Sequence, residues 1–341
     1  ENNGASDPSW TAADIATSAA YALTVFAADM DNDGDMDILS ASSNDDAIAW
    51  YENNGASDPS WTAADIATSA DGARSVFAAD MDGDGDMDIL SASLNDDAIA
   101  WYENDGASNP TWTAADIATS ADNAHSVYAA DMDGDGDMDI LSASYNDDAI
   151  AWYENDGNAN PSWTAADIAT SADGAYSVFA ADMDGDGDMD ILSASALDNT
   201  IAWYENNGAS DPSWTAANIV TNATYTTSVF AADMDNDGDM DIVAALEVSD
   251  AIAWYENDGN ANPTWTAATI ATSADGAKTA FVADMDNDGD MDIVSASFND
   301  DAIAWYENTP PQTTLTFNYT VASGNTSSDL DYGSTSALAL N

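Results

Sequence analysis

Asp80, Asp82, Asp84, Asp86 and Asp88 occupy alternate positions of the stretch DMDGDGDMD, with Gly85 at its sixth place. Five carboxylates within nine residues repel one another unless positive charge sits among them. The chain has almost none to give: 64 Asp and Glu stand against two Lys and Arg and one His, for a net charge of −62. The counter-charge has to come from outside. Alternation lets the carboxylates at loop positions 1, 3 and 5 converge, glycine at position 6 permits a sharp reversal, the position-7 carbonyl can face inward, and Asp88 at position 9 closes the shell. An oxygen-only shell of flexible geometry suits Ca2+ better than Mg2+, which demands a stricter octahedron. An EF-hand would need Glu at loop position 12, where this loop has Ser91, and a helix after it, where this chain has a β-prone run.

The same loop occurs six times. The candidate ligands are Asp29, Asp31, Asp33, Asp35 and Asp37; Asp80, Asp82, Asp84, Asp86 and Asp88; Asp131, Asp133, Asp135, Asp137 and Asp139; Asp182, Asp184, Asp186, Asp188 and Asp190; Asp233, Asp235, Asp237, Asp239 and Asp241; and Asp284, Asp286, Asp288, Asp290 and Asp292. A solvated acidic hairpin without a specific ion would not fix glycine at the sixth position in every copy. About six Ca2+ are expected, and six divalent ions would still leave a charge of about −50. The remainder points to a saline or calcium-rich habitat.

The elements that carry these loops repeat with them. Trp10, Trp61, Trp112, Trp163, Trp214 and Trp265 are each 51 residues apart, as are Trp50, Trp101, Trp152, Trp203, Trp254 and Trp305, so six gapless copies fill residues 1–306. One copy reads SVFAAD (75–80), the acidic loop, DILSAS (88–93), a turn at LNDD, AIAWYEN (98–104), a Gly/Asn/Pro turn and WTAADIAT (112–119). Those are four β-prone runs bounded by turn residues, which predicts an all-β fold of four-stranded antiparallel blades: a six-bladed β-propeller. A stacked solenoid is the alternative, although solenoid repeats are usually shorter. Residues 9–17 form an orphan outer strand, while the last copy reaches only its third strand at Asn308. The N-terminal strand is therefore expected to complete the last blade and close the ring. A seven-bladed ring lacking one blade is the alternative. The propeller is assigned to residues 1–308. Residues 309–341 are read as a TPPQ linker and a strand in which Leu315, Phe317, Tyr319 and Val321 alternate; the tail resembles the opening of an Ig-like or cadherin-like module, the alternative being a strand that docks on the propeller or on a neighbour.

The unit VFAADMDGDGDMDIL with AIAWYEN downstream resembles the FG-GAP-like or VCBS repeats of secreted bacterial proteins, related to the propeller head of integrin α subunits. The resemblance covers residues 1–308 and rests on six copies of D-x-D-x-D-G-x-x-D. It implies a calcium-loaded extracellular propeller with the ions in the loops between the first and second strands. FAAD stands where the family has Phe-Gly, and Gly-Ala-Pro is absent, so no integrin-type ligand is carried over.

Because the copies are nearly identical, their differences are informative. One position reads Leu23, Arg74, His125, Tyr176, Thr227 and Lys278, and it holds every Lys, Arg and His of the chain. A second reads Ser43, Leu94, Tyr145, Ala196, Glu247 and Phe298. They fall in the connection between blades and in the second turn of each blade, loops that emerge opposite the acidic ones. Arg74, His125, Tyr176 and Lys278, with Tyr145 and Phe298 as apolar rims, are the candidate ligand-binding residues for carboxylate, sulfate or hydroxyl groups. Tolerance of exposed loop tips to drift is the competing explanation. The paired Trp of each copy could stack on sugars, but lie where blades should press together, so packing is expected. The twelve Met that flank the loop ligands are expected to pack between blades as well.

With 341 residues and 45% hydrophobic content the chain can bury a sizeable core, so its acidity does not imply disorder. It has no run of 18 apolar residues and no charged-then-apolar leader, and is read as a mature chain or a fragment. Zero Cys removes disulfides and thiolate chemistry without naming a compartment. The charge repels nucleic acid and anionic lipid, so neither a nucleic-acid partner nor direct membrane insertion is expected. An enzyme is not favoured, since His125 and Lys278 are single loop residues in different copies. The expected function is an extracellular adhesion module for a glycan or protein ligand. The alternative is a structural subunit of a surface layer or filament that self-associates through its C-terminal strand.

Overall fold

The computed structural model of the chain describes residues 10–309. All but Thr309 fall within the first of the chain's two units, Glu1–Asn308. The predicted C-terminal strand lies outside the described residues, which contain strands and turns and no helix.

β1 (Ala22–Ala28), β2 (Asp37–Ser42), β3 (Ala47–Asn53) and β4 (Trp61–Ala67) form an antiparallel sheet in chain order. The second sheet, β5 (Ala73–Ala79), β6 (Asp88–Ser93), β7 (Ala98–Asn104) and β8 (Trp112–Ala118), repeats it within a residue or two of the sequence prediction. Three further four-stranded sheets span 124–169, 175–220 and 226–271. The sixth has three strands, β21 (Ala277–Ala283), β22 (Asp292–Ser297) and β23 (Ala302–Tyr306). The six sheets are the blades of a β-propeller.

Residue size follows position in the blade. The second strand, DILSAS in blade 2, is buried along its whole length because neighbouring blades cover both of its faces. Only small residues let those faces approach closely, hence its Ser and Ala, and the buried Ser91 hydroxyl is satisfied by the Tyr102 hydroxyl at 3.3 Å. The outer strand, WTAADIA, is largely exposed, and Asp116 at its centre places a charge on an edge that would otherwise invite pairing with another chain.

Cores lie between blades. One cluster joins Met30, Leu39, Ile48 and Trp50 of blade 1 to Val76, Ile89, Ala100 and Tyr102 of blade 2, and four more join each following pair. Ile48, Ile99, Ile150, Ile201 and Ile252 are fully buried in them, each worth roughly 1.5–3 kcal/mol of hydrophobic stabilisation. Indoles meet edge to face across these interfaces, Trp50 with Trp112 at 6.4 Å and Trp101 with Trp163 at 6.3 Å, so Trp50 and Trp101 are core residues, with the partly buried Trp112 and Trp163 packed against them, while Trp10 is exposed. Polar bonds reinforce the seams: the Val127 N–H donates to Ser75 Oγ at 3.3 Å, and Val178 and Val229 repeat the bond with Ser126 and Ser177.

Two expectations are corrected. The methionine at loop position 2 packs between blades, with Met30, Met81, Met132, Met183 and Met234 buried, while at position 8 Met36, Met87, Met138, Met240 and Met291 are exposed and Met189 alone packs against an interblade core. Alternation along the loop turns position 2 towards the core and position 8 to solvent. The N-terminal segment does not complete blade 6 either: Trp10 makes an isolated bridge, residues 11–17 form no strand, and the sixth sheet ends at β23. Among the described residues no core cluster joins blade 6 to blade 1, and a strand can close a ring only where the sheets it bridges already adjoin.

Candidate metal centres and the opposite face

Each acidic loop links the first two strands of a blade and is folded by its own backbone. In blade 2 the carboxylate of Asp80 accepts the Gly83 N–H at 2.8 Å and the Gly85 N–H at 3.0 Å. Asp82 accepts from the Asp84 N–H at 3.2 Å and Asp84 from the Asp86 N–H at 3.0 Å. Gly85 adopts φ +97°, a conformation that side-chain-bearing residues avoid. The long-range bond from glycine to the first aspartate recurs at Gly34, Gly136, Gly187, Gly238 and Gly289.

The carboxylates converge as a result. Oxygens of Asp80, Asp82 and Asp88 lie within 4.8 Å of one another, as do those of Asp182, Asp184 and Asp190. In blades 1, 3 and 5 the grouped residues are Asp29, Asp31, Asp33; Asp131, Asp133, Asp135; and Asp233, Asp235, Asp237. Oxygens sharing an ion at 2.3–2.6 Å cannot be more than roughly 5 Å apart, so the spacing fits a hard cation, and the donor set is oxygen throughout. Each such cluster could hold a metal ion. The position-3 carboxyls of Asp31, Asp82, Asp133, Asp184 and Asp235 are raised above their ordinary pKa, by burial first and by the charges of their neighbours. Clustered acids at this spacing are stabilised by a positive charge.

Positions 7 and 9 do different work. Asp86 stands against the turn between the third and fourth strands, where a Cβ on Gly106 would fall 2.1 Å from its Oδ2. Asp88 is buried; its Oδ1 accepts the Asn104 N–H at 2.7 Å and its Oδ2 the Met81 N–H at 3.1 Å. Burial pushes Asp88, Asp139 and Asp190 up to about 7 against those bonds. Asp37 also accepts the Trp50 indole N–H at 3.0 Å. In blades 2 to 6 that indole N–H has no partner within hydrogen-bond geometry, although the Trp101 dipole still lowers the Asp88 pKa.

At the opposite end, backbone bonds hold the interblade connection against the second turn of each blade. The Leu94 N–H donates to the Gly72 carbonyl at 3.1 Å, and Asp97 Oδ1 accepts the Asn123 N–H at 3.0 Å. The variable residues of blades 2 to 4 gather there into one cluster. The His125 ring stacks on Tyr145 at 5.0 Å and meets Tyr176 edge-on at 4.4 Å, and the Arg74 guanidinium lies 4.6 Å from the centre of the Tyr176 ring. Tyr225 joins through its hydroxyl, 3.3 Å from that of Tyr145. His125 is neutral: burial, then the charges of Arg74 and Lys278, push its pKa down to about 2, and its Nε2–H donates to Asn123 Oδ1 at 2.9 Å. Lys278 pairs with Glu247 at 2.6 Å and reaches over Phe298, which is 58% exposed. The predicted residues thus form two groups, one around His125 and one around Lys278.

The repeating unit described so far, an acidic hairpin joining the inner strands of a propeller blade, matches a family model described as FG-GAP-like repeat over residues 29–91, 88–142, 131–193, 191–244 and 241–295, well over half of the chain. The chain belongs to the FG-GAP-like repeat family. No curated protein matches it. Among solved structures it is similar to the biofilm matrix protein Bap1 of V. cholerae, with 20% identity over 77% of this chain and 41% of that one and a TM-score of 0.46. A luciferin-regenerating enzyme is similar at 12% identity over 78% of this chain and 82% of that one, with a TM-score of 0.48. This chain therefore spans less than half of Bap1's length.

Three features of this FG-GAP-like propeller escape a reading centred on the aspartates. Glu103 adds its charge to the acid cluster and raises Asp82, as Glu154 does Asp133 and Glu205 does Asp184. Asn104, 2% exposed, donates through Nδ2 to the Met87 carbonyl at 3.0 Å and to the Met30 carbonyl of the preceding blade at 2.9 Å, tying adjacent ion loops together. Both residues belong to the AWYEN run, whose invariance across copies was the available signal. At the far end, Tyr225 holds φ +53° where three copies have glycine, and Leu197 and Val248 are exposed beside the variable turn. Copy-to-copy difference at these positions was likewise legible.

Proposed function

We propose that the protein is an extracellular, calcium-loaded propeller that acts as an adhesion or ligand-binding module through the face opposite its ion loops. Ca2+ occupies each acidic loop and rigidifies the hairpins. The convergence of oxygen-only donors supports the choice of ion, and loops of this kind load where calcium is abundant, as it is outside cells. A bacterial source in a saline or calcium-rich setting accords with the residual negative charge. The observation that carries the binding reading is that the Lys and Arg of the chain, with most of its copy-specific aromatics, collect at one end of the axis while the acidic loops at the other end are nearly constant from copy to copy. Arg74, Lys278 and Phe298 present a cationic and aromatic surface suited to carboxylated or sulfated glycans, or to an acidic protein segment. His125, being neutral and packed, supports Tyr145 and Tyr176 rather than donating charge.

Screening the calcium-loaded protein on an array of anionic glycans tests this. Binding is expected for the unmodified chain and is expected to be lost in the Arg74→Ala/Lys278→Ala double variant. Binding that survives the double substitution unchanged assigns the ligand elsewhere.

A further inference from the structure

Asn104, at the end of the third strand of blade 2, reaches two ion loops at once. It is 2% exposed and has two N–H bonds on Nδ2 to place. One donates to the Met30 carbonyl, at position 2 of the preceding loop, at 2.9 Å; the other donates to the Met87 carbonyl, at position 8 of its own loop, at 3.0 Å. Asn155, Asn206, Asn257 and Asn308 repeat the pair of bonds at 2.7–3.2 Å. The position-2 peptide they hold separates two of the clustered acids. Met81 stands between Asp80 and Asp82; its N–H donates to Asp88 of its own loop at 3.1 Å, and its carbonyl accepts from Asn155 of the next blade at 2.8 Å. A second bridge joins some neighbours only. Position 4 is left-handed in every copy, at φ +59° to +75°, and holds Asn or Gly. Asn32 Nδ2 donates to Asp86 Oδ1, at position 7 of blade 2, at 2.6 Å, and Asn236 Nδ2 to Asp290 Oδ1 of blade 6 at 2.7 Å. Gly83, Gly134 and Gly185 have no side chain to extend.

We propose that the ion loops load together: calcium in one loop raises the calcium affinity of the loops beside it, and the asparagine amides that bridge them carry the coupling. This rests on the loops being calcium sites. Each loop has two states, closed around its converged carboxylates or opened by their repulsion, and an ion that binds only the closed state shifts the balance towards it. When a loop opens, its position-2 carbonyl leaves the asparagine of the next blade and strands a buried N–H, which is costly. A closed loop therefore favours a closed neighbour, and linkage makes the effect reciprocal. Coupling is strongest between blades 1 and 2 and between blades 5 and 6, which are bridged twice. Charge works in the opposite direction, since each bound ion weakens the attraction for the next, but that effect is long-ranged and is screened by salt, whereas a buried hydrogen bond is not.

Counting bound ions molecule by molecule tests this, by native mass spectrometry at half-saturating Ca2+ in about 1 M ammonium acetate, where the Debye length is about 3 Å. In the unmodified chain, molecules carrying two to four ions are expected to be at least about 5-fold scarcer than independent filling gives. Asn206→Ala cuts the series of bridges between blades 3 and 4, so molecules carrying three ions should become prominent. Asn155→Ala cuts it between blades 2 and 3, and the prominent species should then carry two ions and four. The two variants lose equivalent bonds, so a general loss of stability would move both distributions alike. Asn32→Gly/Asn236→Gly places at position 4 the residue that other copies hold there and should raise the partly loaded species by about 2-fold or more; Gly134→Asn, expected to reach Asp188, should lower them. The proposal is overturned if the unmodified chain fills independently up to saturation, or if Asn155→Ala and Asn206→Ala give the same distribution of ion counts. A chain that takes up no calcium overturns the assignment of the loops as calcium sites, and the coupling with it.

Discussion

The ion-loop end and the opposite end of the propeller are built by the same strands, yet one carries a nearly constant nine-residue loop and the other a different side chain in each blade. The difference lies in what each end uses for support. In the acidic loops the side chains are the scaffold: Asp80 and Asp82 fold the backbone, Asp88 anchors it to the third strand, and Asn104 links one loop to the next. Changing any of them removes a strut. At the far end the struts are backbone bonds and the carboxylate of Asp97, none of which involves the side chain at position 74 or 94. Those side chains are free to differ, which is the condition for placing recognition there.

The contrast can be broken most directly by removing calcium. Each ion bound at a hundred times its dissociation constant adds about 2.7 kcal/mol, so chelation by EDTA is expected to lower the Tm by about 20 °C or more in a scanning calorimeter; overlapping melts would end the metal reading. Asn104→Ala leaves the Met30 and Met87 carbonyls without their donor and should cost about 2–4 kcal/mol in urea unfolding, whereas Asp116→Ala on the outer strand should stay within about 0.5 kcal/mol. Gly106→Ala forces a left-handed alanine and displaces Asp86; a loss of about 1–2 kcal/mol or more is expected, with weaker calcium binding in blade 2 by calorimetric titration. At the far end, His125 is neutral when folded and takes up a proton only when unfolded as pH falls below about 6.5. Its contribution is therefore complete above that pH and is lost below it, by up to about 1.4 kcal/mol per pH unit. His125→Phe should remove this increment, so the gap between the two unfolding curves should shift towards the variant as pH falls from 7 to 5.5 and stay constant above pH 7. Arg74→Ala and Lys278→Ala should each change stability by no more than about 1 kcal/mol.

Strand boundaries were almost fully legible in the sequence because turn residues punctuate each copy; DILSAS and AIAWYEN were read to the residue. The acid clusters were legible for the same reason, since alternation and one glycine define a hairpin loop locally. Closure was not. It depends on the rotation between successive blades, which is set by how faces such as Ile99 against Val127 interlock and not by any run of adjacent residues. The split between buried Met81 and exposed Met87, and the reach of Asn104 across a blade boundary, required knowing which side of the loop faces a neighbour.

The five interblade seams also carry a hazard. Surfaces built from nearly the same residues are interchangeable, so blade 2 would mate with blade 5 almost as well as with blade 3, and the proper succession is enforced chiefly by short connections such as 68–72. A nascent chain that folds each module as it emerges avoids shuffled partners, whereas a fully denatured chain released all at once at high concentration should exchange modules with its neighbours and form tangled, swapped oligomers.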